Sequence, residues 1–83
     1  MIKLKTKTIL LENIYIPYLS HILSSDYILN NEYMFIMLKD VKKLPPISVI
    51  KLSDSEYSLS NGYHRLSIFK HLNYKEIICE ILN

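Results

Sequence analysis

Residues 2–11 alternate in character. Ile2, Leu4 and Thr6 take turns with Lys3, Lys5 and Lys7, and a period of two predicts a strand. A row of lysines on one face suits an edge strand or a solvated face. Glu12-Asn13-Ile14-Tyr15-Ile16-Pro17 reads as a turn and an extended piece, because Pro17 biases Ile16 away from helix. A short helix is expected over residues 18–23, with Ser24-Ser25-Asp26 as a break or cap. A second helix starts at Asn30 or Asn31 as N-cap, with Glu32 in the first turn where the helix dipole favours an anion. Tyr33, Ile36, Met37 and Asp40 or Val41 follow at helical spacing, and Lys39, Lys42 and Lys43 crowd the end. Leu44-Pro45-Pro46 stops it.

The second half is more sharply punctuated. Residues 47–52 form a strand, Ser53-Asp54-Ser55 a hairpin loop and residues 56–60 the return strand. After Gly62, the single glycine, a helix is expected over residues 63–72, with Leu66, Phe69 and Leu72 on one face and Ile68 beside them. Asn73 stands where a left-handed C-terminal residue is expected. Residues 77–82 form a last, largely buried strand. The order of strand, helices, hairpin, helix and strand predicts an α+β fold, a small mixed sheet with helices packed on it.

Composition narrows this picture. The chain has 83 residues, 49% hydrophobic and 22% charged, which predicts one domain over residues 1–83 with one modest core. A net charge of +2 is too weak to announce a nucleic-acid binder by field alone. One cysteine, Cys79, allows no internal disulfide, so a reducing, cytoplasmic setting is expected. No stretch approaches the roughly 20 apolar residues of a membrane span, and the lysine-alternating start lacks the apolar region of a signal peptide.

Candidate chemistry concentrates at Asn61-Gly62-Tyr63-His64-Arg65, between a strand and a helix. The first amides of a helix have no internal partner, and the helix dipole adds positive potential there. Gly62 permits an unusual backbone angle and close approach of a ligand. Arg65 can fork onto phosphate, and His64 can donate near neutral pH. From the residues alone a plainer reading stands beside this one: Asn61 caps the helix, Gly62 serves the turn, and His64 and Arg65 are solvated.

The stretch from Leu44-Pro45-Pro46-Ile47-Ser48-Val49, through Gly62-Tyr63-His64-Arg65, to Asn73-Tyr74-Lys75-Glu76-Ile77-Ile78-Cys79 resembles the ParB/sulfiredoxin superfamily over residues 44–82. The G-x-H-R turn is similar to the sulfiredoxin and free-serine-kinase branches. The resemblance implies that fold, and a nucleotide-phosphate site at Asn61, Gly62, Tyr63, His64 and Arg65 for ATP, ADP or CTP with Mg2+. It leaves phosphotransfer or nucleotide hydrolysis open, with His64 and an acidic base from the first half, Glu12 before Glu32, as catalytic candidates. Sulfiredoxin reductase activity is rejected, because Tyr63 stands where those enzymes carry their attacking cysteine and is a poor nucleophile at neutral pH. The kinase branch's D-G-H-H-R is Asn61-Gly62-Tyr63-His64-Arg65 here, so its aspartate is missing. The helix-turn-helix and dimerisation domains of partition proteins do not follow. The alternative is therefore a non-enzymatic DNA- or protein-interaction module, a plasmid, viral or partition-related accessory protein.

The other candidates change little. His21, His64 and His71 match no compact metal-ligand spacing, so no metal site is expected. The seven tyrosines are too evenly spread to form a stacking platform, Tyr63 beside the turn excepted. Residues 33–38 are apolar nearly all round the helix, which suits either a central core helix or a homodimer interface.

Overall fold

A computed structural model describes residues 5–83. Among the described residues there are five strands and three α-helices: β1 (Lys5–Leu10), β2 (Ile14–Tyr15), α1 (Ser25–Asn30), α2 (Glu32–Lys39), β3 (Ile47–Ser53), β4 (Glu56–Asn61), α3 (Tyr63–His71) and β5 (Glu76–Ile81). Short 3-10 turns at Leu11–Asn13, Leu19–His21 and Val41–Lys43 bridge them. The strands form one sheet in the order β1-β5-β3-β4-β2. β1/β5 and β3/β4 are antiparallel, whereas β3/β5 and β2/β4 are parallel. This is the mixed α+β sheet that the element order predicts. The last strand in sequence thus lies inside the sheet, between the first and the third. Beyond it, Asn83 extends the pairing with its side chain: Oδ1 accepts from the Lys51 amide at 2.8 Å, and Nδ2 donates to the Lys51 carbonyl at 3.0 Å.

One face of the sheet is buried. Ile9, Ile47, Val49, Tyr57, Leu59, Ile77 and Cys79 pack there with Leu66 of α3. A second cluster lies beyond α3, where Ile68 meets Ile28 of α1 and Met34 of α2. Leu66 and Ile68 are two residues apart, about 200° around a helix of 3.6 residues per turn. They therefore point to opposite sides, and α3 is sandwiched between the sheet and the α1–α2 pair. The expected single stripe of Leu66, Phe69 and Leu72 is half right. Leu66 is buried and Phe69 half-buried, but Leu72 is exposed and the fully buried Ile68 takes the second face.

Two other expectations need correction, and the one for β1 holds. The helix expected over residues 18–23 is only the 3-10 turn Leu19–His21, and α1 begins later, where Ser24 accepts a hydrogen bond from the Tyr27 amide at 3.2 Å. In α2 Asn31 is the N-cap, accepting from the Met34 amide at 3.0 Å, but the buried stripe runs one residue out of phase with the one expected. Met34 is buried, and Met37, Leu38 and Val41 pack beside it, an i, i+3, i+4, i+7 set. Tyr33 and Ile36 stay 68% and 54% exposed. In β1, Lys5 and Lys7 pair with Ile81 and Cys79 in the register that puts buried Ile9 opposite Ile77. Both lysines are exposed and β1 is an edge of the sheet, as the alternation predicts, although they lie on the same side of the strand as Ile9. Residues 2–4 of the expected strand lie outside the described residues.

Candidate functional site

The turn from β4 into α3 is built around one backbone conformation. Gly62 has φ 110° and ψ 31°, in the left-handed region, and is the N-cap of α3. Its carbonyl accepts from the Leu66 amide at 2.8 Å, which leaves the first amides of the helix without an intrahelical partner. Asn61 does not cap the helix: it is the last residue of β4, paired with Ser48, and it is exposed. A side chain at position 62 has no room, because a Cβ would stand 2.6 Å from Cγ2 of Ile47 and 3.2 Å from Nη2 of Arg65. Glycine thus lets a β-strand, a helix start and a guanidinium meet.

Arg65 is half-buried and not simply solvated. Its Nη1 donates to the carbonyls of Pro45 and Pro46 at 3.2 and 2.6 Å. Those prolines end the α2 connection, so the side chain straps the start of β3 to the first turn of α3. With Nη1 held, Nη2 lies beside Gly62. His64 is exposed on the same turn. Tyr33 and Met37, one helical turn apart on α2, complete a cleft of about 300 Å3 with Asn61, Gly62, Tyr63, His64 and Arg65. All five residues expected at the turn therefore share one recess.

Glu12 does not join them. It sits in the 3-10 turn before β2 and lines recesses that contain no residue of the 61–65 turn. The parallel register Ile14↔Tyr57 places it beside the start of β4, whereas Asn61 is at the end, four residues past Tyr57 and roughly 13 Å along the strand. Glu32 opens α2 and is exposed. Among the described residues no three His, Cys, Asp or Glu side chains converge on a point that could hold a metal ion.

Tyr63 has a different set of neighbours. Its hydroxyl accepts from the Tyr18 amide at 3.2 Å. Its ring meets His21 edge-on at 5.5 Å, and His21 stacks on Tyr18 at 5.4 Å. Ser67, buried one turn later, fixes the same junction: its Oγ donates to the Tyr63 carbonyl at 2.7 Å and accepts from the Leu23 amide at 2.9 Å. Sequence reasoning missed Tyr18, His21 and Ser67. Only Ser67 left a trace, as a polar residue between Leu66 and Ile68, each of which faces a core.

Cys79 is fully buried in β5, and burial pushes its thiol from 9.0 up to about 11. The folded state then holds the thiol proton more tightly than the unfolded chain. This contribution to stability is complete below pH 9.0 and is lost as pH rises toward 11, on the order of 2–3 kcal/mol. Urea denaturation across that range should show the loss, and the difference between the native chain and Cys79→Ala should shrink as pH rises. A difference independent of pH would contradict the assignment.

No family model and no curated protein matches the chain. Among solved structures it is similar to the sulfiredoxin of Arabidopsis thaliana, with a TM-score of 0.69 at 21% identity over 93% of this chain and 83% of that one. The chain therefore has the ParB/sulfiredoxin fold. Among the described residues no helix is long and apolar enough to cross a membrane.

Proposed function

We propose that the 61–65 cleft binds the phosphate groups of a nucleotide. The observation that carries this reading is the left-handed Gly62, which opens α3 into a recess beside the Arg65 guanidinium. The free amides of the first turn form the cradle. Nη2 of Arg65 supplies a charged donor, and His64 can donate from the exposed side. A volume near 300 Å3 is at the lower end of small-molecule sites, which suits phosphates with the rest of the nucleotide against Tyr33 and Met37. ATP, ADP and CTP are the ligands to test, with Mg2+ carried on the phosphates, as is usual for that ion. Phosphotransfer or hydrolysis would need a base other than Glu12, given where that residue lies.

Calorimetric titration with each nucleotide, with and without magnesium, is the test. His64→Ala is expected to weaken binding severalfold. Arg65→Ala is expected to weaken it by about 10- to 100-fold, the range for a hydrogen bond to a charged group. If no nucleotide binds, or if both variants bind as the native chain does, the reading fails. A second reading, a non-enzymatic interaction module that dimerises or binds DNA, is favoured by the exposure of Tyr33 and Ile36 on α2. Sedimentation equilibrium, with DNA mobility shifts at several salt concentrations, separates it from the first.

A further inference from the structure

A second recess, of about 530 Å3, lies at the other end of β4 from the 61–65 turn. That size is within the usual range of small-molecule sites. Ile14 and Tyr57, both buried, line it together with the exposed Tyr15 and Leu52. Its charged residues are Glu12 and Glu56, on a chain that carries +2 as a whole. The parallel register Ile14↔Tyr57 sets Glu56 one residue before Tyr57 and Glu12 two residues before Ile14, so both carboxylates stand at the same end of the β2–β4 pair. Oε1 of Glu56 accepts from the Ser53 hydroxyl at 3.1 Å. Among the described residues neither carboxylate is in an ion pair, the neighbouring pair being Lys51 with Asp54 at 3.6 Å.

Tyr57 supplies an independent observation. It is only 3% exposed, yet no side-chain hydrogen bond among the described residues involves its hydroxyl. A hydroxyl shut away from water would then be a buried unsatisfied group, and the described residues contain none. The hydroxyl therefore keeps an opening to solvent, and the recess that Tyr57 lines provides one. A nearly buried ring thus brings a spare oxygen to an acidic recess with apolar walls.

We propose that this recess binds a small organic cation, a primary ammonium carried on an aromatic or branched aliphatic body. The ammonium has three donors and no acceptor. Glu12, Glu56 and the Tyr57 hydroxyl offer one acceptor to each, and the body lies against Tyr15 and Leu52. A hard metal ion is the poorer fit, because Ca2+ takes six to eight oxygen ligands and no three acidic, histidine or cysteine side chains converge among the described residues. The proposal is independent of nucleotide binding, because the recess shares no residue with the 61–65 cleft.

The test uses the 15N-labelled protein and 2-phenylethylamine, with three probes that each change one feature. Ethylamine keeps the charge without the ring, 2-phenylethanol keeps the ring without the charge, and 3-phenylpropionate reverses the charge. The arylamine is expected to shift the amides of residues 12–16 and 52–57 saturably. Ethylamine and 2-phenylethanol are expected to bind at least about tenfold more weakly, the loss of one charged hydrogen bond, and 3-phenylpropionate is expected to leave the amides in place. Glu12→Gln with Glu56→Gln is expected to weaken the arylamine by about tenfold or more. Tyr57→Phe is expected to weaken it severalfold while the urea midpoint of the free protein stays unchanged, since the hydroxyl has no partner in the fold. Both glutamates are exposed, so the double variant should fold, and circular dichroism checks it. If it does not fold, Tyr57→Phe and the four probes on the native chain decide. Equal responses to amine and alcohol, shifts confined to the 61–65 turn, no saturation, or native-like binding by the variants overturns the proposal. So does tighter binding of acetyl-lysine-amide than of the arylamine, which would assign the recess to a lysine of a partner protein.

Discussion

Gly62→Ala should lower the unfolding free energy by about 2–6 kcal/mol, enough to consume much of the reserve of a small domain. Two effects add. A non-glycine residue held in the left-handed region costs about 1–3 kcal/mol. The new Cβ would also stand 2.6 and 2.9 Å from two carbons of Ile47, a fully buried residue at the start of β3, and overpacking a core costs about 1–3 kcal/mol more. Asparagine tolerates the left-handed region better than alanine, so Gly62→Asn tests the split. It should recover only part of the loss, because its Cβ meets Ile47 in the same way. Urea denaturation is the measurement, with the slope checked for constancy. A change within 0.5 kcal/mol in Gly62→Ala, a threshold typical of neutral surface substitutions, would mean that the turn is not constrained as described.

Ile68→Ala is expected to cost about 2–5 kcal/mol, the usual range for emptying a fully buried isoleucine site. Its location matters as much as its size. Ile68 is 0% exposed and is the α3 member of the cluster with Ile28 and Met34. Truncating it loosens α1 and α2 from α3 and leaves the Leu66 side packed on the sheet. Tyr33 and Met37, one wall of the 61–65 cleft, are then less well held. Hydrogen exchange should therefore accelerate more in α1 and α2 than in β3 and β5. Uniform acceleration, or a stability loss below 1 kcal/mol, would argue against a separate outer layer.

These two residues also show what could be read from sequence. The hairpin, α3 and β5 were legible because their boundaries are chemical. Pro45-Pro46 stops one helix, Gly62 starts another, and Asn73, with φ 60°, ends it. The 61–65 turn was legible for the same reason. The first half lacks such punctuation. Ser24 and Asn31 each cap a helix, but α1 has only six residues, too few for its periodicity to stand out. In α2 nearly every position is apolar, so two phases fitted equally well, and only packing against Ile68 chose Met34 over Tyr33. The Arg65 bonds to Pro45 and Pro46 span 20 and 19 residues, and no local pattern encodes them. Placing Glu12 failed for a related reason: its distance from His64 depends on β2 pairing parallel to β4, which no spacing reveals.

The place of β5 has a consequence for the birth of the molecule. Synthesis delivers β1 first and β5 last, yet β5 fills the gap between β1 and β3. Until residues 76–81 have been made, β1 lacks the strand it pairs with in the described residues, and β3 offers one bare side. At roughly 5–20 residues per second, a nascent chain would spend several seconds with these strand edges open. The helices and the β3–β4 hairpin can form from local contacts in that interval, but the sheet closes only with the final strand. Deleting residues 76–83 should therefore leave a protease-sensitive chain, whereas the chain that contains β5 should be resistant.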